Sequence, residues 1–226
     1  MTATCVTIGR MEIEAKFAIA DPALFERLTQ VEQLAGFSLS PVQPKRVHDQ
    51  YLDTADGAIL AGGYACRVRV ESGGGRLLTL KSLAPAQGAL YMREELEVRL
   101  PPASGLDVAG WPDSPATALA RQLSADRPLV LLFELQQERY RRLAATAGSS
   151  APAVELSIDI ARISTEPPIE LLGVEAELLP AGNLADLQAL IDELHHGWGL
   201  APDLLSKFDR GLAAAQPHLA SLLPIP

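Results

Sequence analysis

Charged residues alternate with apolar residues in several short segments of the chain. Near the N-terminus, the segment MEIEAKF places Glu12, Glu14 and Lys16 on one side of an extended chain. A later segment places Arg67 and Arg69 on one side in the same way. This period of two is typical of β-strands that have one charged face.

The same spacing recurs further along the chain. It places on common faces Thr79 with Lys81; Arg93, Glu95, Glu97 and Arg99; Arg139 with Arg141; Glu155 with Asp159; and Glu175 with Glu177. For any single strand, the ordinary interpretation is the solvated face of a one-sided antiparallel sheet. Seven such segments with few neutral polar residues favour a shared charged interior instead, with helices covering the apolar faces.

An interior with charges of both signs indicates a charged ligand, because each unpaired buried charge costs several kcal/mol. Arginine and lysine side chains suit an anion with many oxygens, and guanidinium groups bind phosphate in a bidentate manner. Carboxylates would repel that anion unless they also held Mg²⁺ or Mn²⁺, which bridge carboxylate and phosphate oxygens. The pattern therefore predicts metal-assisted binding or cleavage of a polyphosphate chain.

Most of the chain has the pattern of strands separated by Gly, Pro, Asn or Asp. The strands are predicted near residues 10–19, 46–53, 64–71, 76–82, 91–100, 132–143, 153–161 and 172–179. Such a succession of short strands predicts an α+β fold, with a closed or nearly closed antiparallel sheet and helices packed outside. A hairpin turn is expected at 72–76.

Four helices are predicted from their end signals. Asp21 and Ser114 each precede a proline, which is typical of an N-cap followed by the first helical residue. Asn183 begins a third helix, whose apolar stripe runs from Leu184 to Leu194 before Gly197. The fourth is expected from about 202 to 215.

The composition favours one domain over residues 1–215, followed by a tail at 216–226. The chain has 226 residues and a formal net charge of −9. An acidic balance argues against nucleic acid or anionic lipid as partners. Two cysteines form no disulfide framework, and no apolar run approaches the roughly 20 residues of a membrane span. We therefore expect a cytoplasmic protein in which Cys66 has a packing role.

Taken in order, these residues resemble the CYTH superfamily, also called triphosphate tunnel metalloenzymes. The resemblance runs from Met11 to about Leu212. It rests on E-x-E-x-K at 12–16, YLDT at 51–54, RVR at 67–69, TLK at 79–81, REELEVRL at 93–100, the strand with Arg139 and Arg141, ELSID at 155–159, VEAEL at 174–178 and SKFDRG at 206–211. Nine elements in sequence are far more specific than one.

The resemblance implies a closed eight-stranded antiparallel β-barrel that forms a tunnel. Its members hydrolyse inorganic triphosphate or thiamine triphosphate, or cyclise ATP, and this chain is most similar to bacterial inorganic triphosphatases. In those proteins a helical CHAD domain often follows, so a longer native chain with a CHAD domain is one alternative. The partner implied is a small triphosphate or polyphosphate substrate, and a homodimer is compatible with the family.

The resemblance also implies roles for single residues. The expected phosphate-binding residues are Lys16, Arg67, Arg69, Lys81, Arg93, Arg139, Arg141 and Lys207. The expected ligands for two Mg²⁺ or Mn²⁺ ions are Glu12, Glu14, Glu155, Asp159, Glu175 and Glu177, with Glu95 and Glu97 in support. Lys16 and Tyr51 are the expected catalytic pair that activates water, and metal-bound water of lowered pKa is an equal alternative.

Other interpretations remain open at this point. Tyr51 could be an ordinary cross-strand aromatic residue, Glu155 could pair with an arginine, and Lys207 could be a surface lysine. His195 and His196 lie near the end of a predicted helix, where polar residues are expected without any metal. At the level of function, the alternatives are a class IV adenylyl cyclase, a thiamine triphosphatase and a non-catalytic polyphosphate-binding module.

Overall fold

The computed structural model describes residues 6–71, 73–102, 104–146, 148–149 and 151–223. Within these ranges it contains eleven strands: β1 (Val6–Ala18), β2 (Gln33–Leu34), β3 (Phe37–Leu39), β4 (Gln43–Asp53), β5 (Tyr64–Glu71), β6 (Arg76–Ser82), β7 (Leu90–Leu100), β8 (Val130–Ala145), β9 (Val154–Ile163), β10 (Ile169–Leu178) and β11 (Ala201–Pro202). The helices are α1 (Pro22–Gln30), α2 (Ala58–Ala61), α3 (Pro115–Ser124), α4 (Leu184–Asp192), α5 (Lys207–Ala215) and α6 (Pro217–Ala220), with a 3₁₀ turn at Val108–Gly110 and a π turn at Glu193–Gly197.

Eight long strands close into a barrel. Their order is β4, β5, β6, β7, β1, β10, β9 and β8, and β8 pairs with β4 to complete the ring. Every pairing in the ring is antiparallel. The prediction of a closed eight-stranded antiparallel barrel is therefore confirmed. The short strands β2 and β3 extend from β8, and β11 pairs with β1.

Helices cover the outer face of the barrel, so both faces of several strands are buried. In β1, Ala15 and Phe17 pack outward with Leu187 and Leu190 of α4, while Glu14 faces inward. The helix α3 packs in the same way over β5, β6 and β7. The apolar half of each strand is thus covered from outside, which leaves the charged half to line the interior.

The predicted N-caps of three helices are confirmed. Asp21 accepts a hydrogen bond from the backbone of Ala23, and Ser114 accepts one from Thr117. Asn183 forms a reciprocal capping box with Asp186. The predicted stripe of α4 is wrong at its first position, because Leu184 is 55% exposed.

The predicted start of the last long helix is also wrong. α5 begins at Lys207, because residues 201–202 pair with β1 and Ser206 provides the N-cap. The four-residue helices α2 and α6 were not predicted, since neither is long enough to show a helical period. α6 places Leu219 in a buried cluster with Leu60 and Leu212.

Two further features are the turn between β5 and β6 and the length of the helices. β5 and β6 form the expected hairpin, and Gly74 in its turn has a φ of +78°, which glycine adopts at little cost. None of the helices in the described part of the chain is long and apolar enough to span a membrane.

Candidate active site

A cavity of about 140 Å³ lies inside the barrel. Eight basic and seven acidic side chains line it. The predicted residues that it brings together are Glu12, Glu14, Lys16, Tyr51, Arg67, Arg69, Lys81, Arg93, Glu95, Glu97, Arg139, Glu175, Glu177 and Lys207. The charged faces of β1, β5, β6, β7, β8 and β10 therefore share one interior.

The wall formed by β1 and β10 concentrates carboxylates around one lysine. Glu14 lies directly opposite Glu177, and Lys16 lies directly opposite Glu175. The Nζ of Lys16 is 3.1 Å from Oε1 of Glu14 and 3.1 Å from Oε1 of Glu175. Directly opposed side chains are neighbours in a sheet, so one ammonium group serves several carboxylates here.

Burial and neighbouring charges shift the pKa values of the carboxylates on this wall. Burial raises the pKa of Glu12 to about 7, and the neighbouring Glu14 carboxylate adds to that increase. Burial also raises the pKa of Glu177, although Arg10 opposes the change. The pKa of Glu14 is lowered despite burial, because Lys16 and Lys81 lie close to it. A further cation would relieve the charge at Glu12 and Glu177.

Basic side chains from β6 and β7 reach the same wall. The Nζ of Lys81 donates to Oε1 of Glu12 at 2.9 Å and lies 3.5 Å from Oε1 of Glu95. Arg93 forms an ion pair with Glu14, and its guanidinium lies 4.8 Å from the ring centre of Tyr91. Each of these two bases is therefore paired with a carboxylate of the wall.

Asp159 lies behind the cavity and binds two bases that line it. Its side chain is fully buried and accepts hydrogen bonds from Nε and Nη2 of Arg139 at 2.9 and 2.8 Å. The Nζ of Lys207 donates to Oδ2 of Asp159 at 2.5 Å. Glu175 also accepts from Arg139, at 2.7 Å. Asp159 and Glu175 therefore share Arg139 and Lys207.

The motif SKFDRG explains why a helix outside the barrel supplies a cavity residue. Ser206 and Asp209 form a capping box at the start of α5, which fixes the direction of Lys207. The Phe208 ring packs 5.2 Å from that of Tyr51. A Cβ on Gly211 would lie 2.3 Å from the Phe133 ring, so only glycine allows this close approach. The alternative of Lys207 as a surface residue is thereby removed.

Four residues with the predicted alternation do not line the cavity: Asp159, which lies behind it, and Arg99, Arg141 and Glu155. Arg141 binds Glu155, with Nε donating to Oε1 at 2.8 Å, and neither side chain reaches the cavity. Arg99 is 63% exposed and pairs with Glu71. The placement of Arg99 inside the tunnel was wrong, because a period of two fixes the face of a strand but not the height along the barrel. The contact of Glu155 matches the interpretation in which it pairs with an arginine.

Lys16 and Tyr51 both line the cavity, but their contacts differ from those of an activated pair. The Tyr51 ring stacks on Phe133 at 4.7 Å between ring centres. Lys16 lies over Tyr91, 5.4 Å from its ring centre. Burial would lower the pKa of Lys16, but the carboxylates of Glu14 and Glu175 outweigh burial and raise it. The lowered pKa that a catalytic lysine needs is therefore not present in this arrangement.

Sequence reasoning missed three polar residues that line the cavity: Arg10, Asp49 and Gln137. Arg10 donates to Oε2 of Glu95 at 2.9 Å and to Oε1 of Glu177 at 2.8 Å. A signal for all three was present, because each stands two residues before a predicted site residue. Extending the alternation of β1, β4 and β8 by one step finds them.

The acidic residue of YLDT has a structural role. Asp53 is buried and accepts hydrogen bonds from the backbone N–H groups of Thr54, Ile59 and Leu60 at 2.6, 2.8 and 2.9 Å. The N-cap residue of α2 is Gly57, which has no side chain, so Asp53 satisfies the first turn together with Thr54 Oγ1, which accepts from the backbone N–H of Ala58 at 2.9 Å. Asp53 does not line the cavity.

The other candidate reactive residues lie away from the cavity. The Nδ1 of His195 is 2.9 Å from the carbonyl oxygen of Leu200, in keeping with a role at the helix end. Cys66 is buried among apolar residues, and burial raises the pKa of its thiol. Cys5 lies outside the described residues.

Several buried polar atoms of the cavity have no hydrogen-bond partner within the described residues. They include the Nε atoms of Arg67 and Arg93, which are donors, and Oε1 of Gln137, which is an acceptor. The Nε atoms of Arg76 and Arg210, away from the cavity, lack described partners as well, so these atoms alone do not define the site. A ligand rich in oxygen would satisfy the two donors that face the cavity. No three acidic, His or Cys side chains in the described ranges form a ready metal cage, since each carboxylate turns toward a base. The carboxylate oxygens of Glu12, Glu14, Glu175 and Glu177, gathered on one wall, are nevertheless the donor type that a hard divalent cation prefers.

Comparison with known proteins agrees with this geometry. The model of the CYTH domain matches residues 10–194. No curated protein matches the chain. Two of the solved structures that share the fold have comparable similarity to this chain. One is HpAC1 from Hippeastrum, a proposed adenylyl cyclase described with a dominant triphosphatase activity; it is 19% identical, with a TM-score of 0.64 over 95% of this chain and 98% of that one. The other is a proposed adenylate cyclase from Bacillus halodurans, 20% identical, with a TM-score of 0.63 over 89% and 97% of the two chains.

Proposed function

Because the chain belongs to the CYTH domain family, we propose that it catalyses the metal-dependent hydrolysis of inorganic triphosphate to diphosphate and phosphate. One observation carries the proposal. Eight bases and seven acids line a single cavity, and the buried Nε atoms of Arg67 and Arg93 have no hydrogen-bond partner among the described residues. A chain of phosphate groups has the charge and the oxygens to satisfy such a site.

CYTH triphosphate tunnel enzymes are generally metal-dependent, and the acidic wall suits Mg²⁺ or Mn²⁺. We assign two ions to the carboxylates of Glu12, Glu14, Glu175 and Glu177, with Asp159 behind them. When bound, the ions would neutralise phosphate charge and lower the pKa of coordinated water. Glu155 would contribute only after leaving Arg141, so we rank it last.

Phosphate binding is assigned to the bases that line the cavity: Lys16, Arg67, Arg69, Lys81, Arg93, Arg139 and Lys207. Most of these now bind carboxylates, so they would exchange a carboxylate partner for a phosphate oxygen. In phosphoryl transfer, bases placed in this way stabilise the charge that develops on the leaving group. Arg141 would meet the phosphate chain only at the edge of the barrel.

The pKa of Lys16 limits its catalytic role. Lys16 can accept a proton from water only when other cations engage Glu14 and Glu175, because these two carboxylates raise its pKa. Until then it serves as a phosphate-binding cation. Tyr51 stands beside the same cavity, where its hydroxyl would help to orient water.

A second candidate function is hydrolysis or cyclisation of an organic triphosphate. A pocket of about 380 Å³ adjoins the cavity and shares Leu83, Arg93 and Ser206 with it. Leu204 and Leu205 give this pocket an apolar wall that could hold the organic part of thiamine triphosphate or ATP.

The test is release of phosphate from inorganic triphosphate, thiamine triphosphate and ATP, with Mg²⁺, Mn²⁺ or chelator, together with detection of cyclic AMP. We expect inorganic triphosphate to be the best substrate, and Glu14→Gln and Lys16→Ala to abolish turnover. Lys45→Ala is the matched control, since Lys45 pairs with Glu71 outside the cavity. Preference for an organic triphosphate would favour the second candidate. Binding without turnover under either ion would indicate a polyphosphate-binding module.

A further inference from the structure

Asp49 occupies an unusual position among the charges of the barrel. It lies on β4, directly opposite Arg69 on β5, and its side chain is fully buried. Since it stands two residues before Tyr51, it faces the interior. The proposed metal ligands lie on β1 and β10, and the motif YLDT begins two residues later at Tyr51. Neither of them therefore explains a carboxylate at this position.

The Asp49 carboxylate is bound by three side chains. Its Oδ1 accepts from Nε of Arg69 at 2.7 Å, and its Oδ2 accepts from Nη2 of Arg69 at 2.8 Å. Oδ2 also accepts from Nε2 of Gln137 at 3.1 Å, and Nη1 of Arg67 lies 3.7 Å away. This side-on pairing holds the guanidinium plane of Arg69 and leaves its Nη1 for a ligand in the cavity.

The charged residues around Asp49 differ from those on the wall formed by β1 and β10. Among the described cavity residues on β4, β5 and β8, it is the single acid, and the charged residues beside it are Arg67, Arg69 and Arg139. Burial opposes ionisation of Asp49, but Arg67 and Arg69 lower its pKa to about 2. A lone carboxylate among arginines is suited to hold them and is poorly suited to hold a metal ion.

We infer that Asp49 is a positioning residue that orients Arg69 and Arg67 toward the phosphate chain. The two arginines stand on the same face of one strand, so without a shared anion they would repel each other. Asp49 binds both, and Gln137 fixes the orientation of its carboxylate. The phosphate ligand in this statement rests on the proposed function.

The first test is Asp49→Asn, which keeps the shape of the side chain and removes its charge. Calorimetric titration with inorganic triphosphate in chelator measures binding alone, and steady-state kinetics with Mg²⁺ measure KM and kcat. We expect binding to weaken and KM to rise by roughly tenfold, the effect of one charged hydrogen bond, with a smaller change in kcat. Gln137→Met should change KM in the same direction to a smaller extent.

A double-mutant cycle separates positioning from a general structural effect. Arg69→Ala should weaken triphosphate binding much less in the Asp49→Asn protein than in the wild type, because Arg69 is already misplaced there. Arg93→Ala, at a base that pairs with Glu14, should have an additive effect. Circular dichroism confirms that each variant is folded, and if Asp49→Asn does not fold, Gln137→Met takes its place in the cycle.

The inference fails if Asp49→Asn binds triphosphate with unchanged or higher affinity, if its effect is additive with that of Arg69→Ala, or if Gln137→Met leaves KM unchanged. The binding arm does not depend on turnover. A wild-type protein that binds inorganic triphosphate without hydrolysing it contradicts the proposed function, while the titrations still decide the role of Asp49. A wild-type protein that neither binds inorganic triphosphate in chelator nor hydrolyses it with Mg²⁺ contradicts both.

Discussion

The Nζ of Lys207 lies 3.0 Å from Oε1 of Glu175, although Lys207 belongs to a helix outside the barrel and Glu175 to a strand of its wall. Lys207 is only 16% exposed. The cavity is therefore completed by a residue that the sheet alone does not supply. Helix α5 must stay packed against the barrel for the site to form.

Lys207→Ala should weaken binding of inorganic triphosphate while the barrel stays folded. One charged hydrogen bond contributes about 1.5–3 kcal/mol, so KM should rise by roughly tenfold or more. Steady-state kinetics check this, with Lys45→Ala as the control at a lysine that does not line the cavity. An unchanged KM in the folded variant would show that Lys207 does not contact substrate.

Gly211→Ala should destabilise the protein, because the added Cβ would lie 2.3 Å from the ring of Phe133. Overpacking of this kind costs about 1–3 kcal/mol. Chemical denaturation measures the change, and activity should fall with it as α5 moves. Gly110→Ala is the matched control, since a Cβ there meets no atom of the described residues within 4 Å. Equal stabilities of the two variants would contradict the packing argument.

Asp53→Ala should reduce stability and leave KM unchanged in protein that is still folded. Asp53 accepts from the backbone N–H of Thr54 and from two N–H groups in the first turn of α2, and loss of a helix cap typically costs about 1 kcal/mol. Denaturation and kinetics on the same sample separate the two effects. A large rise in KM without loss of stability would place Asp53 in the site.

Cys66 should not react with thiol reagents while the protein is folded. Its side chain is 1% exposed, and burial raises its pKa, so little thiolate is present. In a Cys5→Ser background, a thiol-specific reagent should label Cys66 only after addition of denaturant. Fast labelling of the folded protein would mean that the core around β5 opens readily.

The period of two predicted the strands and most of the interior face, and the family resemblance added the closed eight-stranded barrel. An inward side chain fixes every second neighbour on the same strand, which is how Glu12 leads to Glu14 and Lys16. Helix ends were predicted equally well where a side chain caps the backbone, as at Asp21 and Ser114. Both signals are local.

What the sequence could not predict depends on contacts between distant segments. The alternation assigned Arg99 and Arg141 to the same face as the cavity residues, but their height along the barrel is set by strand register. The raised pKa of Lys16 depends on Glu175, which lies 159 residues away along the chain. The position of Lys207 was predicted only through the family resemblance, because helix packing is not visible in local spacing.

The most direct measurement is the rate of phosphate release from inorganic triphosphate as Mn²⁺ or Mg²⁺ is added to metal-free protein. The proposed site predicts no turnover in chelator, saturating activity with added ion, and loss of that activity in Glu14→Gln despite a folded barrel. Equal rates with and without chelator, unaffected by Glu14→Gln, would contradict metal-dependent hydrolysis in this cavity.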